Sequence, residues 1–481
     1  MTISSQISGH RADRNLSRDP IINRDRLAVA IIVTMLAVLA VRLHELIPKA
    51  ALLRPALTAS IGGLAILLYR AERGTLKRLL TEPAAFLMML YFGWACFGIP
   101  FALWRGGALH ELQRLYPAIL LMLAILICPR SWDNFDRVMS GYVLAVAAFA
   151  AALVINGRTI EDDRMEISFT LDANDAAAMF AMVFPIALAM ATRKGPILRR
   201  VTSFVAAGIC LYGVVKTGSR GGTLAVLVAG LVFVLGQRGL RRIGLLFATV
   251  VIAGGAWSFG PAKFRERFTS FASGEQDYNF TDYGGRVAIW RRALRYWGQH
   301  PIIGVGIGGF PVAEGYSLMY KGHTRGTKLS NTHNAYLQAA AELGTVGLGL
   351  YLAMLAAGVY RASKFWVVRG TKAARLRTHR PELLASILGF ATSAVFLSHA
   401  YYYPLFGMLA IIALASQIRT AEAVELVSYP GSSAPPIRPA PRPTIRRGAF
   451  GLRAPDQTPA GPAIGIAASL RPAGPGGQSA T

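Results

Sequence analysis

The sequence predicts an all-α polytopic membrane protein with about 12 transmembrane helices and one long, partly helical periplasmic loop. Hydrophobic residues make up 53% of the 481 residues and charged residues only 16%, which is too apolar for a soluble domain. The apolar residues fall in separate runs near the length of about 20 residues that a membrane helix needs. Lys and Arg are concentrated in alternate connections, as expected for cytoplasmic loops.

The composition divides the chain into five parts. Residues 1–25 are polar and are expected to form a disordered cytoplasmic N-terminus. Transmembrane helices 1–9 are predicted within 26–259, the periplasmic loop at 260–334 and transmembrane helices 10–12 within 335–420. Residues 421–481 are rich in Pro, Gly, Ala and Arg. Such a segment cannot bury enough apolar surface to fold, so we expect a disordered cytoplasmic tail.

The twelve apolar runs show the charge asymmetry of a multi-pass membrane protein. Their limits are near 27–46, 51–69, 84–103, 112–128, 138–155, 176–192, 201–217, 222–236, 243–259, 335–359, 382–399 and 401–418. Four predicted inner loops carry clusters of Lys and Arg, whereas the predicted outer loop 156–175 carries six acidic residues. Much of the net charge of +26 is therefore explained by topology. No nucleic-acid partner is expected, because a nucleic-acid footprint clusters on one soluble face.

The long external loop is basic, with ten Lys or Arg against five Asp or Glu. Long loops are exempt from the positive-inside rule, and this basic surface indicates an anionic substrate. Within it, residues 286–297 have the spacing of an amphipathic helix. Arg291, Arg292 and Arg295 on that helix are candidate substrate-binding residues, because guanidinium groups bind phosphate. The alternative is that they only anchor the helix to anionic membrane lipids.

Three further cations lie at predicted helix ends. Arg286 follows two glycines at the start of the loop helix, where exposed backbone donors favour an anion. Arg220 lies at the outer junction of the seventh and eighth runs, and Lys216 lies one turn before it. The glycines around Arg220 favour a tight external turn that directs the guanidinium toward a ligand, whereas the alternative is an arginine that snorkels to the surface.

His333 precedes the tenth run at the predicted outer surface. If the helix continues through this segment, Asn334, Gln338 and Glu342 fall on one face with a spacing of four residues. A polar stripe in an apolar run is costly unless it faces a protein or water-filled interior, so these residues are candidate substrate contacts. Imidazole accepts a proton near neutral pH, which makes His333 the candidate catalytic base. The alternative is an interfacial histidine that only forms hydrogen bonds.

Neither a metal ion nor another cofactor is predicted. Cys96, Cys128 and Cys210 lie in apolar runs without paired spacing and are expected to be core residues. The pair that comes nearest to an acidic metal-binding motif is Glu275 and Asp277. It lies in a polar stretch where carboxylates are usually solvated. The glycine-rich segment 304–309 lacks the Lys-Ser/Thr ending of a nucleotide loop, so a close turn is predicted instead.

Four segments resemble the O-antigen ligase and polymerase superfamily of bacterial glycan-assembly proteins. They are SRGG at 219–222, GGRVAIW at 284–290, HPIIGVGIGGF at 300–310 and HNAYLQAAAELGTVGLG at 333–349. Their order and the long external loop between them also match. The resemblance is specific over residues 205–355 and rests on hydropathy elsewhere.

This resemblance implies metal-independent transfer of a glycan from an undecaprenyl-diphosphate carrier to an acceptor hydroxyl at the periplasmic face of the inner membrane. Arg220, Arg286 and His333 match the functional residues of the family's ligases. Two guanidiniums would stabilise the leaving diphosphate, and His333 would orient or deprotonate the acceptor. The pattern favours a ligase acting on lipid A-core or another glycan. A polymerase is the close alternative, and a protein O-glycosylation ligase is a further one.

Two other classes of membrane protein predict different features. A secondary transporter is expected to have similar halves with broken helices in corresponding positions, and no half-to-half similarity is present in the sequence. A non-catalytic scaffold would leave Arg286 and His333 without a role.

Overall fold

The computed structural model of the protein is almost entirely helical in the residues that it describes. Those residues are 20–41, 54–69, 77, 79, 81–128, 130–160, 164–166, 172–259, 284–320, 330–366 and 379–428. Its helices are α1 (Pro20–Val41), α2 (Pro55–Tyr69), α3 (Pro83–Phe97), α4 (Arg105–Ile127), α5 (Trp132–Asn156), α6 (Ala173–Thr192), α7 (Ile197–Thr217), α8 (Arg220–Leu235), α9 (Leu240–Phe259), α10 (Arg286–Gln299), α11 (Phe310–Tyr320), α12 (Ala335–Trp366), α13 (Pro381–Ala394) and α14 (Tyr403–Ser428). A short 3-10 helix, Ile99–Phe101, follows α3.

Each of the twelve predicted apolar runs coincides with a helix, namely α1 to α9 and α12 to α14. Within the described part of the chain, seven helical segments are long and apolar enough to cross a membrane: Pro83–Phe101, Arg105–Ile127, Trp132–Asn156, Ala173–Thr192, Ile197–Thr217, Ala335–Trp366 and Tyr403–Glu422. These segments confirm a helical membrane protein. The number of twelve spans and the periplasmic position of residues 260–334 stay predictions.

One part of the structure differs from the purely helical prediction, and some predicted segments lie outside the described residues. Strands β1 (Arg158–Ile160) and β2 (Arg164–Glu166) form an antiparallel hairpin within the predicted outer loop. The predicted disordered ends fall largely on residues 1–19 and 429–481, which lie outside the described residues, as do Glu275 and Asp277.

The helices α6 and α14 form the centre of the bundle, with 78% and 72% of the residues in their most apolar stretches buried. A capping box starts α6: the Asp172 carboxylate accepts from the backbone N–H groups of Asn174 and Asp175, and the Asp175 carboxylate accepts from that of Asp172. The Tyr403 hydroxyl at the start of α14 donates to Met179 Sδ of α6. The two central helices therefore begin side by side.

The predicted eleventh span ends earlier than its apolar run. The helix α13 stops at Ala394, and residues 395–402 form a turn that we call the α13–α14 turn. Pro404 explains the restart of the helix, because proline suits the first turn of a helix and restricts the residue before it. With 14 residues, α13 is about 21 Å long, which is short of the roughly 30 Å of a hydrocarbon core.

The helix α12 is interrupted at Gly344, which has φ 68° and ψ −167°. The segment 300–310 lies against the interruption, and the N–H of Thr345 donates to the Pro301 carbonyl at 2.7 Å. A side-chain carbon at Gly344 would collide with the carbonyl of Ile302. The glycines at 304, 306 and 308 have positive φ. This geometry confirms the predicted close turn. It also shows that the turn packs against the interruption of α12 and accepts a hydrogen bond from it.

Ion pairs join the helices at the end of the bundle where α6 and α12 finish. Arg193 contacts Glu382 at 2.6 Å, Arg380 contacts Asp136 at 2.5 Å, and Arg361 contacts Glu82. Several cations that the sequence places in inner loops are therefore held by carboxylates. The starts of α6, α8, α12 and α14 lie at the opposite end, where the candidate site is found.

Candidate functional site

A cavity of about 950 Å³ lies among the starts of α2, α4, α6 and α12 and the α13–α14 turn. Its polar lining includes Arg54, His110, Glu111, Gln113, Asp172, Asp175, Asn331, His333, Gln338, Glu342, Ser398 and His399. Three of the predicted site residues, His333, Gln338 and Glu342, thus contribute to one wall. The remaining lining comes largely from residues that the sequence did not single out.

The backbone of His333 is held in the left-handed region, with φ at 46°. This conformation is uncommon for residues other than glycine. The His333 N–H donates to Ser398 Oγ at 2.9 Å, and the neighbouring Thr332 carbonyl accepts from the Trp290 indole at 3.1 Å. Thr332 Oγ1 also lies 3.2 Å from Ser398 Oγ. These hydrogen bonds hold His333 between α10 and the α13–α14 turn.

Burial lowers the pKa of the His333 imidazole below its ordinary value of 6.5, and the positive charge of Arg286 lowers it further. The carboxylate of Asp172 acts in the opposite direction and raises this pKa. Arg286 lies one helical turn before Trp290 on α10, and Trp290 is bonded to the residue before His333. The structure therefore brings Arg286 and Asp172 within electrostatic reach of His333, which is neutral at pH 7.

Arg220 is the first residue of α8, whose start is capped by the Ser219 side chain at 3.1 Å from Gly222 N. Gly221 lies against Phe396 of the α13–α14 turn, where a Cβ atom would press on the Phe396 ring. The start of α8 therefore packs against Phe396, which lies two residues before Ser398 in the chain. Ser398 is the hydrogen-bond partner of His333. The glycines next to Arg220 thus serve a close helix approach.

Lys216 is placed less centrally than Arg220. It lies half-buried on the last turn of α7, and its Nζ is 5.5 Å from the centre of the Tyr212 ring. The hairpin strand β2 packs nearby, where Arg164 Nε donates to the Thr217 carbonyl at 3.0 Å. The substrate-binding role of Lys216 stays a prediction.

The polar stripe of α12 is buried, and each of its members holds a part of the backbone. Asn334 Oδ1 accepts from the first N–H groups of α12 and so caps the helix. Gln338 Oε1 accepts from Ala400 N at 3.1 Å. Glu342 accepts from Gly308 N at 3.0 Å and Phe310 N at 3.3 Å. Gln338 and Glu342 have these structural partners in addition to their place in the cavity wall.

The three arginines that the sequence groups on α10 occupy two different faces. Arg291 and Arg295 are exposed, as expected for an outward face. Arg292 is instead buried, and its Nε lies 2.6 and 2.8 Å from the two carboxylate oxygens of Glu314 on α11. Because Arg292 follows Ile289 by three residues, it lies on the packed face of α10. The structure thus corrects the assignment of Arg292 as a substrate-binding residue.

This buried ion pair predicts a stability effect of Arg292 that is separate from glycan binding. Arg292→Ala is expected to destabilise the protein by about 3 kcal/mol or more, because it leaves the Glu314 carboxylate buried without a countercharge. The double variant Arg292→Met with Glu314→Leu is expected to recover most of that stability. Thermal unfolding in detergent measures both. Equal unfolding temperatures for Arg292→Ala and the wild type would contradict this role.

The sequence analysis missed the polar residues that complete the cavity wall. His399 Nε2 lies 2.7 Å from Asp175 Oδ1, and Ser398 holds the backbone of His333. Asp172 and Asp175 are spaced as a capping box before an apolar run, which was a usable signal in the sequence. No signal in the sequence marks His399, because it lies within the apolar run near 382–399.

The comparisons with known proteins agree with these motifs. Residues 205–352 match a family model described as O-antigen ligase. No curated protein matches the chain. The matched region contains Arg220, Arg286 and His333, and it supports a function of the O-antigen ligase or polymerase type. The match confirms the resemblance to the O-antigen ligase and polymerase superfamily that the sequence shows over this region.

Proposed function

We propose that this protein transfers a glycan from an undecaprenyl-diphosphate carrier to an acceptor hydroxyl, as an O-antigen ligase at the periplasmic face of the bacterial inner membrane. The proposal rests above all on the placement of His333. His333 contributes to the wall of a polar cavity at helix starts, and the positive charge of Arg286 acts on its imidazole. The matched family model supports the same general class of reaction.

Arg220 and Arg286 would act on the donor. As the acceptor oxygen bonds to C1 of the donor sugar, the bond between C1 and the diphosphate oxygen breaks, and its electron pair stays on the leaving undecaprenyl diphosphate. A guanidinium offers several N–H donors to phosphate oxygens and stays protonated. Two guanidiniums therefore stabilise the charge that develops on the leaving group. The reaction we propose is metal-independent.

His333 would act on the acceptor. Because burial and Arg286 lower its pKa, the imidazole is neutral at pH 7 and has one nitrogen that accepts a hydrogen bond. A neutral imidazole beside the cavity is suited to orient or deprotonate the acceptor hydroxyl. The exposed Arg291 and Arg295 on α10 would contact the diphosphate or anionic lipid headgroups.

The acceptor that we propose is lipid A-core or another glycan, since the combination of Arg220, Arg286 and His333 matches the ligase pattern. An O-antigen or exopolysaccharide polymerase would use the same donor chemistry with a carrier-linked glycan as the other substrate. A protein O-glycosylation ligase would use a protein hydroxyl. These three differ in the product that they form.

The surface polysaccharide of a deletion strain tests the proposal. We expect core-only lipopolysaccharide on a silver-stained gel, with long glycan accumulating on the lipid carrier, and restoration by the intact gene. A single added repeat unit would instead indicate a polymerase. An unchanged lipopolysaccharide profile would exclude the lipid A-core acceptor, and glycoprotein and exopolysaccharide analysis would then identify the product.

A further inference from the structure

The backbone of His333 is held by a serine from a distant part of the chain. Ser398 Oγ, in the α13–α14 turn, accepts from the His333 N–H at 2.9 Å. Thr332 Oγ1 donates to the Asn334 carbonyl at 3.1 Å and lies 3.2 Å from Ser398 Oγ. Because a threonine hydroxyl has one proton, the Ser398 hydroxyl must be the donor to Thr332 Oγ1. Ser398 therefore makes two hydrogen bonds to the segment that carries His333.

This segment needs support because His333 has an uncommon backbone conformation. Its φ of 46° lies in the left-handed region, which residues other than glycine seldom occupy. A residue stays in such a region when its surroundings hold it there, and residues of this kind cluster at functional sites. The Trp290 indole supplies one support, by donating to the Thr332 carbonyl at 3.1 Å. Ser398 supplies the other, and it is bonded to His333 itself.

The α13–α14 turn is a firm base for Ser398, because it is fixed on both sides of this residue. On one side, Phe396 packs against the start of α8, where a Cβ atom at Gly221 would lie 3.0 Å from Phe396 Cβ. On the other side, Ala400 N donates to Gln338 Oε1 at 3.1 Å. The turn thus joins the start of α8 to the first turn of α12.

We propose that Ser398 is a positioning residue for glycan transfer, which keeps His333 at a set distance from Arg220 at the start of α8. The inference rests on the proposed function, in which Arg220 binds the leaving diphosphate and His333 binds the acceptor hydroxyl. Reacting atoms have to be aligned at about 3–3.5 Å, and a displacement of about 1 Å can slow a reaction roughly 100-fold. Ser398 acts on the reaction through His333. The turn lies outside residues 205–352, so the family match does not point to it.

Steady-state transfer by the full-length protein, with a lipid-diphosphate-linked glycan donor and a glycan acceptor, tests the role of Ser398. We expect Ser398→Ala to lower kcat by about 10- to 100-fold, because His333 is no longer held in place. The KM for the donor should stay within about two-fold of the wild type, since Arg220 and Arg286 remain. Ser398→Thr keeps the hydroxyl and is expected to recover most of the lost rate.

The matched control is Ser416→Ala. Ser416 is half-buried like Ser398, and its hydroxyl donates to the Ile412 carbonyl of its own helix at 3.0 Å. The control removes the same atom without a change at His333, so we expect transfer at the wild-type rate. A kcat of Ser398→Ala within about two-fold of this control would overturn the inference.

The titration of the His333 imidazole separates positioning from a general loss of stability. Burial lowers its pKa from 6.5, the charge of Arg286 lowers it further, and Asp172 raises it. Release of His333 by Ser398→Ala would reduce its burial, so its pKa is expected to rise toward 6.5 and the acid limb of kcat/KM to move to higher pH. The substitution leaves the charged and titratable groups around His333 unchanged, namely Arg286 on α10, Asp172 and Asp175 on α6, Glu342 on α12 and His399 in the turn.

NMR of labelled imidazoles measures this pKa without any substrate, and His333→Gln assigns the signal. A His333 pKa in Ser398→Ala that equals the wild-type value would overturn the inference. Where thermal unfolding shows that Ser398→Ala does not fold, Ser398→Cys decides, because a thiol has nearly the same shape and is a weak donor and acceptor. A wild-type kcat with an unchanged His333 pKa in that variant overturns the positioning role.

The outcome for Ser398 is distinguishable from the outcome for the proposed function. Transfer that is lost in Arg286→Ala and retained in Ser398→Ala would overturn this inference alone. Absence of transfer from the lipid-diphosphate donor by the wild-type protein would overturn the proposed function, and the role of Ser398 with it.

Discussion

Arg286→Ala is expected to slow glycan transfer by about 100- to 1,000-fold, the usual effect of removing one preorganised donor from developing negative charge. The physical reason is that the diphosphate leaves as an anion, and Arg286 lies at the start of α10 within reach of His333. Arg220→Ala is expected to have a comparable effect. Single-turnover transfer with a lipid-diphosphate-linked glycan measures both.

Two variants make this test selective. Arg286→Lys is expected to recover only part of the rate, because an ammonium replaces the charge and not the fork of N–H donors. Arg242→Ala removes an exposed arginine at the other end of the bundle, and it is expected to leave transfer unchanged. Wild-type rates in both Arg220→Ala and Arg286→Ala would exclude these residues from the reaction.

His333→Gln is expected to slow transfer by about 100-fold or more, because a misplaced or unbound acceptor hydroxyl reacts poorly even when the donor is held correctly. The loss should appear at saturating donor, since the donor contacts of Arg220 and Arg286 remain. A His333→Gln variant that transfers glycan at the wild-type rate would show that the imidazole has no role in the reaction. His333 would then contribute only its backbone N–H, which donates to Ser398 Oγ.

The pH dependence of transfer gives a second measure of His333. The pKa of the His333 imidazole is lowered from its ordinary value of 6.5. The active neutral form is therefore expected to persist on acidification until the pH falls below this lowered pKa. Asp172 raises this pKa, and Asp172→Asn should therefore move the acid limb to lower pH. Asparagine also caps helices well, so α6 should stay folded. Profiles of kcat/KM from about pH 5 to 8 would show the shift, and a move to higher pH would contradict the assignment.

The helices were predictable from the sequence because a chain in hydrocarbon must satisfy its backbone hydrogen bonds internally. An apolar run of sufficient length is therefore read as a helix, and each predicted run became one. Helix ends were less predictable. The apolar run near 382–399 continues past the end of α13 at Ala394, because turn residues packed inside a bundle are also apolar.

The amino-acid sequence by itself determined the membrane class, the order of the helices and the family motifs that single out Arg220, Arg286 and His333. Only the tertiary structure decided the partners of the polar side chains. Arg292 reads as an outward cation and is paired with Glu314. His399 reads as part of an apolar run and meets Asp175, which is 224 residues away in the chain. Periodicity reports which face a residue occupies on its own helix, whereas the packing of distant helices decides which side chains that face meets.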